Sequence, residues 1–250
     1  MADMNIDDFF ELHSHYEHYT DLKYRPVEYT NWKTEPSLMI GYARWIETAS
    51  NTASLKMAVD VPNAQQMADE SNALLGEFIK HRGEIHPGWY SLTIHGSGKH
   101  ITEDWNAPIY EGRWTERPKY DWTDIADRCP AIVDWLSNYW EFREFHRVRL
   151  MLLEPGGCIL PHRDYDTRKL AAYNFALTNP PGCEFCMEDA GLIPWQPGEC
   201  RAIDIGRLHS VRNIGDQNRI HMIIHGIPSP QHAKILCQSY DNILEEHGKL

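Results

Sequence analysis

The chain has 250 residues, enough for one large domain, and is 42% hydrophobic and 24% charged, the balance of an ordinary globular protein. A mean hydropathy of −0.54 and the lack of any apolar run near the ~18 residues of a membrane span argue against membrane insertion. Thirty-six acidic against 24 basic residues leave a net charge of −12, which repels a phosphate backbone, so nucleic acid is not an expected partner.

The first residues, MADMNIDDFFELHSHYEHYTD, are acidic and lack a basic region followed by an apolar stretch, which points to a cytoplasmic protein rather than a secreted one. No repeat, low-complexity tract or linker divides the chain, and a single domain over 1–250 is expected. The first part, 1–145, reads as helical or irregular. Residues 62–83 carry Met67, Leu74, Leu75 and Ile79 on one helical stripe with Gly83 as a stop. A short strand follows over Trp89 to Ile94, then a long Gly-, Pro- and charge-rich loop from His95 to Asp121 that a substrate lid would suit. A second helix is expected from about Thr123 to Glu144, begun or broken by Pro130.

After Phe145 the texture changes. Seven strand-like runs, RVRLMLL, CILPH, KLAAYNFAL, CEFCME, CRAIDI, HSVRN and RIHMIIHGI, are separated by turns such as EPGG, QPGE and IGDQN, with no helix between them. That pattern over 146–228 predicts an antiparallel sandwich or barrel core. The tail 229–250 reads as a closing helix with Ser229 as N-cap and Pro230 in its first turn. Helices packed outside a β-sandwich make the fold class α+β. Six cysteines are too sparse for a disulfide framework, and the Cys183–Cys186 pair reads as two strand residues rather than a zinc or redox motif.

The chemistry is concentrated in Leu160-Pro-His162-Arg-Asp164. In an extended segment, positions two apart face one side, so His162 and Asp164 can reach one ion. His209, 45 residues past Asp164, supplies a third ligand and completes the facial triad of two imidazoles and a carboxylate that suits non-heme Fe(II). Three protein ligands leave positions open for a chelating cosubstrate and O2, unlike a structural site closed by four. Ten residues after His209 stands Arg219, whose guanidinium can clamp a carboxylate in a paired geometry that Lys cannot reproduce. His221 and His225 share strand parity with Arg219 and point to the same side. Asp204 is placed to orient His209 or, equally, to satisfy turn amides.

Over roughly 147–226, the pattern HxD, His and then Arg ten residues on resembles the aspartyl/asparaginyl β-hydroxylase family of Fe(II)- and 2-oxoglutarate-dependent oxygenases. With its carboxylate ligand present, the chain is closer to the free-proline hydroxylase branch. The resemblance implies a double-stranded β-helix, a jelly-roll of cupin type. It implies Fe(II) held by His162, Asp164 and His209, with 2-oxoglutarate and O2 as cosubstrates and Arg219 on the distal carboxylate. Two cosubstrate-assisting positions of the family fall on Ala171 and Tyr173, so Tyr173 and the nearby Arg168 become candidate contacts, as does His221. The implied substrate is an amino acid, a similar small molecule or a peptidyl side chain. A carboxylate on it would need local cations, for which Arg113, Arg163, Arg168 and Arg207 are candidates. Two readings compete: a non-catalytic cupin-like binding module, and a zinc-dependent hydrolase or lyase using the same ligands.

Overall fold

The computed structural model describes residues 5–18, 53–82, 85–101, 119–164 and 173–248. Two antiparallel sheets form its centre. The larger holds β1 (Ser54–Lys56), β2 (Ile79–Lys80), β3 (Trp89–Gly96), β4 (Asp121–Trp122), β5 (Phe142–Leu153), β7 (Tyr173–Ala176), β10 (Cys200–Ile203) and β12 (Arg219–Pro228). Its order is β1-β10-β7-β12-β5-β3-β2, with β4 also on β3. The smaller sheet runs β6 (Cys158–His162), β11 (His209–Asn213), β8 (Cys183–Met187), β9 (Gly191–Leu192).

All seven strands expected after Phe145 are present, but the division at 145/146 does not hold. β1 to β4 come from the first part of the chain and complete the large sheet, and β5 begins at Phe142. The helices are correspondingly shorter than their sequence stripes. The first expected one narrows to α2 (Ala64–Asn72), and Ile79 joins β2, opposite Ser91 on β3, because an open sheet edge lies there to be paired. The second begins at Pro130, as α3 (Pro130–Asn138). Glu70 of α2 caps it by accepting from the Ala131 and Ile132 amides. Glu141, at φ 53°, then turns the chain into β5. The closing helix α4 (Pro230–Glu246) starts as expected, with Ser229 Oγ accepting from His232 N–H. Helix α1 (Ile6–His13) lays Phe9 and Phe10 against Cys186 of the small sheet. No helix among the described residues is long and apolar enough to cross a membrane.

Pleating sends alternate residues of the large sheet to two separate cores. Leu92, Leu150, Leu152, Phe175, Ile220, Met222 and Ile224 face the helices and pack with Met67, Ile132, Trp135, Leu136, Leu236 and Tyr240. Trp89, Met151, Leu153, Ala176 and Ile203 face inward and meet Ile159, Phe185, Met187 and Val211 of the small sheet. The two sheets therefore close as a jelly-roll sandwich, with α2, α3 and α4 against the outer face of the large sheet and α1 against that of the small one, the double-stranded β-helix that the resemblance implies.

All six cysteines are free thiols. Cys183 and Cys186, three apart on β8, lie on opposite faces of that strand and form no pair.

Candidate active site

β6 ends and β11 begins at the same end of the sandwich, and the ladder between them sets His162 directly opposite His209. Their rings stand 4.3 Å apart between centroids. Asp164, just past the end of β6, is fixed by its own N–H to the Ile205 carbonyl, and its Oδ1 lies 3.9 Å from His162 Nε2. One ligand atom from each of the three residues lies within 4.8 Å of the others. The three residues are therefore grouped closely enough that one metal ion could be held among them.

Each imidazole is held through its other nitrogen. Nδ1–H of His162 donates to the Leu160 carbonyl (2.8 Å), and that of His209 to the Arg207 carbonyl (2.9 Å). Both Nε2 lone pairs are thereby left for a metal, the usual means of fixing a ligand tautomer. Burial, together with the neighbouring His162, pushes the His209 pKa down, which keeps the ring neutral and able to coordinate.

The turn that carries the chain from β11 in the small sheet to β12 in the large one then sets the distance to Arg219. Asn213, fully buried, donates through Nδ2 to the carbonyls of Leu153 (3.0 Å) and Gln217 (2.8 Å) and accepts from Gly215 N–H, so it closes the turn. From this turn β12 runs back along the sandwich, and its inward positions are Arg219, His221, Ile223 and His225. Arg219 is 3% exposed, and its Nη2 donates to His221 Nδ1 at 2.8 Å. No carboxylate among the described residues pairs with it, and burial lowers its pKa to about 10. His221 stays neutral because burial and the adjacent guanidinium push its pKa far down. Its Nε2–H donates to Asn179 Oδ1 (3.2 Å), the Asn174 carboxamide lies 3.1 Å from Nδ1, and Trp195 meets the ring edge-on. His221 thus braces Arg219.

Several residues singled out from the sequence lie elsewhere. Tyr173 is buried on the opposite side of the large sheet, edge-on to Trp140, Phe142 and His232 in the helix-side core, so it is not a cosubstrate contact. Alternation makes Asn174 the inward residue of β7. Asp204 does not touch His209. Its carboxylate accepts from Gly206 N–H (3.2 Å) and Arg207 Nε (3.2 Å), and so secures the turn whose Arg207 carbonyl holds the His209 ring. Of the cations suggested for a substrate carboxylate, Arg207 is paired with Asp204 and Arg163 with Glu188. Arg113 and Arg168 lie outside the described residues, as do Ala171 and most of the 95–121 loop. His225 shares the inner face with Arg219 and His221, buried beside Arg147 and Arg149, which together with burial hold its pKa far below the usual range.

The family model for aspartyl/asparaginyl β-hydroxylases matches residues 53–228, well over half of the 250. The chain belongs to this family. The matched stretch starts at the edge of β1 and ends with β12, so it takes in both sheets and the triad alike. No curated protein matches the chain. Among solved structures, an oxidoreductase of the 2OG-Fe(II) oxygenase family from Burkholderia pseudomallei is 13% identical, with 82% of this chain and 94% of that one covered at a TM-score of 0.46. A prolyl-4-hydroxylase from Pseudomonas putida is 14% identical, with 76% and 100% covered at 0.41. HygX from Streptomyces hygroscopicus, solved with nickel and 2-oxoglutarate, is 10% identical, with 70% and 84% covered at 0.38.

Sequence reasoning misses Asn174, Asn179 and His86, the last with its ring 5.7 Å from that of His162. Strand parity finds Asn174 once Tyr173 is assigned outward. His86 and Asn179 sit in connecting segments, where no period marks direction.

Proposed function

We propose that this member of the hydroxylase family uses Fe(II), 2-oxoglutarate and O2 to hydroxylate a C–H bond. The substrate is an amino acid, an amino-acid-like small molecule or a peptidyl side chain. The observation that carries the reading is the buried guanidinium of Arg219, which has no anionic partner among the described residues and lies on the same interior face toward which the triad is built. A buried cation left in this way is costly unless a ligand supplies the counter-charge. A dicarboxylate such as 2-oxoglutarate would supply it, with Arg219 holding one carboxylate through paired N–H donors.

The residues present fit the metal: two imidazoles, each tied through Nδ1 so that Nε2 is left for the ion, and one carboxylate, the donor set of mononuclear ferrous oxygenases. When bound, the iron and 2-oxoglutarate supply the oxidising chemistry, and the cosubstrate leaves as succinate and CO2. This chain's own residues hold and orient. His162, Asp164 and His209 present three ligands on one side. The Leu160 and Arg207 carbonyls fix the ring tautomers, Arg219 fixes the far end of the cosubstrate, and neutral His221 keeps the guanidinium aimed. The apolar layer of Met151, Phe185, Met187 and Ile223 excludes water from the interior. The six free thiols support a cytoplasmic setting.

The test is anaerobic addition of Fe(II) and then 2-oxoglutarate, read by the weak visible charge-transfer band of chelation at ferrous iron, followed by a substrate screen read by succinate. Wild type should give the band. Asp164→Ala, which removes the one anionic ligand, should abolish it while the fold persists. A wild type without the band, or a folded Asp164→Ala protein with undiminished succinate formation, overturns the assignment in favour of a binding module or a zinc enzyme.

A further inference from the structure

β6 is an edge strand of the small sheet, so its amides facing away from β11 have no strand to pair with. Two of them are met by the segment leading into β3. Cys158 N–H donates to the Pro87 carbonyl at 2.9 Å, and Leu160 N–H donates to Nδ1 of His86 at 3.1 Å. The approach is close because Gly88, at φ 70°, has no Cβ, which would stand 2.8 Å from the Gly157 Cα. Past this contact the backbone no longer supplies the next rung, and the His86 imidazole takes its place.

In an antiparallel strand the N–H and C=O of one residue point the same way. The Leu160 carbonyl therefore faces the same edge, and it is the group that accepts Nδ1–H of the metal ligand His162. One residue is gripped from two sides, by His86 on its N–H and by His162 on its C=O. We propose that His86 is a positioning residue for His162: it fixes Leu160, and through the Leu160 carbonyl it fixes the ring that presents Nε2 to the metal. This rests on reading the triad as a metal site. His86 is itself locked, 7% exposed, edge-on to Trp89 (5.1 Å, 78°) and 5.7 Å from the His162 ring. The second imidazole ligand is braced differently. His209 hangs on the carbonyl of Arg207, which Asp204 secures from three residues away, whereas the brace of His162 comes from a residue 74 positions distant from Leu160.

Metal-free protein titrated with Co(II), followed by its d–d absorption, tests this without turnover. His86→Leu should weaken Co(II) binding by about 10–100-fold, the range for loss of an outer partner of a metal ligand, and alter the band shape. In His86→Asn the Oδ1 stands where Nδ1 stood and can accept from Leu160 N–H, so affinity should return to within about threefold of wild type. In His86→Gln the acceptor is one bond farther out, and affinity should fall between the two. Wild-type affinity in a folded His86→Leu protein overturns the proposal, as does equal loss in the Asn and Leu variants. If His86→Leu does not fold, the Asn–Gln pair decides, and equal affinities overturn it. A folded wild type that takes up no Co(II) overturns the metal reading itself and leaves a different signature, since no variant then differs from it.

Discussion

The two faces of β12 carry opposite chemistry over the same ten residues. Outward, Ile220, Met222 and Ile224 are fully buried against the helices and belong to the largest apolar cluster. Inward, Arg219, His221 and His225 are buried almost as deeply but present a cation and two neutral imidazoles to the sandwich interior. Burial alone therefore does not distinguish them, and the distinction is in what burial does. On the outer face it removes apolar surface from water, worth roughly 25 cal/mol per Å². On the inner face it removes water from polar groups and leaves Arg219 with no carboxylate partner among the described residues. The first contributes stability, and the second is the basis on which Arg219 is proposed to take an anionic ligand.

Substitutions on the two faces should therefore separate cleanly. Arg219→Ala should weaken 2-oxoglutarate binding by about 2–5 kcal/mol, thirty-fold or more, with little change in metal affinity in the absence of cosubstrate. Arg219→Lys should recover only part of that loss, because an ammonium keeps the charge without the fork. A titration of the charge-transfer band measures both, and unchanged curves would make Arg219 a structural residue.

On the outer face the response should be reversed. Ile224 packs with Met222 against the helices. Ile224→Val should lower the unfolding free energy by about 0.5–1.5 kcal/mol and leave the 2-oxoglutarate titration unmoved, as read by urea denaturation beside the same band. The smallest effect is expected from Tyr173→Phe. The hydroxyl lies on the helix side of the sheet, so this change should leave cosubstrate affinity at the wild-type value. A clear loss of affinity would return Tyr173 to the inner face and break the assignment of the two faces.

Much of this arrangement is legible in the sequence because it depends on short-range regularities. The triad rests on the two-residue spacing of His162 and Asp164, and the seven strands after Phe145 are marked by turns rich in Gly, Pro and Asn. The spacing from His209 to Arg219 is set by a short turn between the two sheets that Asn213 closes, so it too is local. Tyr173 shows where family correspondence and strand parity conflict: the residue beside it, Asn174, is the one that turns inward to His221. Spacing brings Asp204 near His209, yet it acts on the turn before that residue, since a short carboxylate satisfies the nearest amides first.

Chemical types and their order are written in the sequence alone: two imidazoles and a carboxylate for a metal, an arginine ten residues on, and a run of strands to hold them. They can be read there because alternation and turn formation act over a few residues. Folding in three dimensions was needed to show that β1 to β4 complete the large sheet, that Ile79 leaves its helical stripe for a strand, and that His86 reaches Leu160. Those outcomes depend on which sheet edges remain open and which amides remain unpaired once the chain has closed on itself, and no local pattern records that.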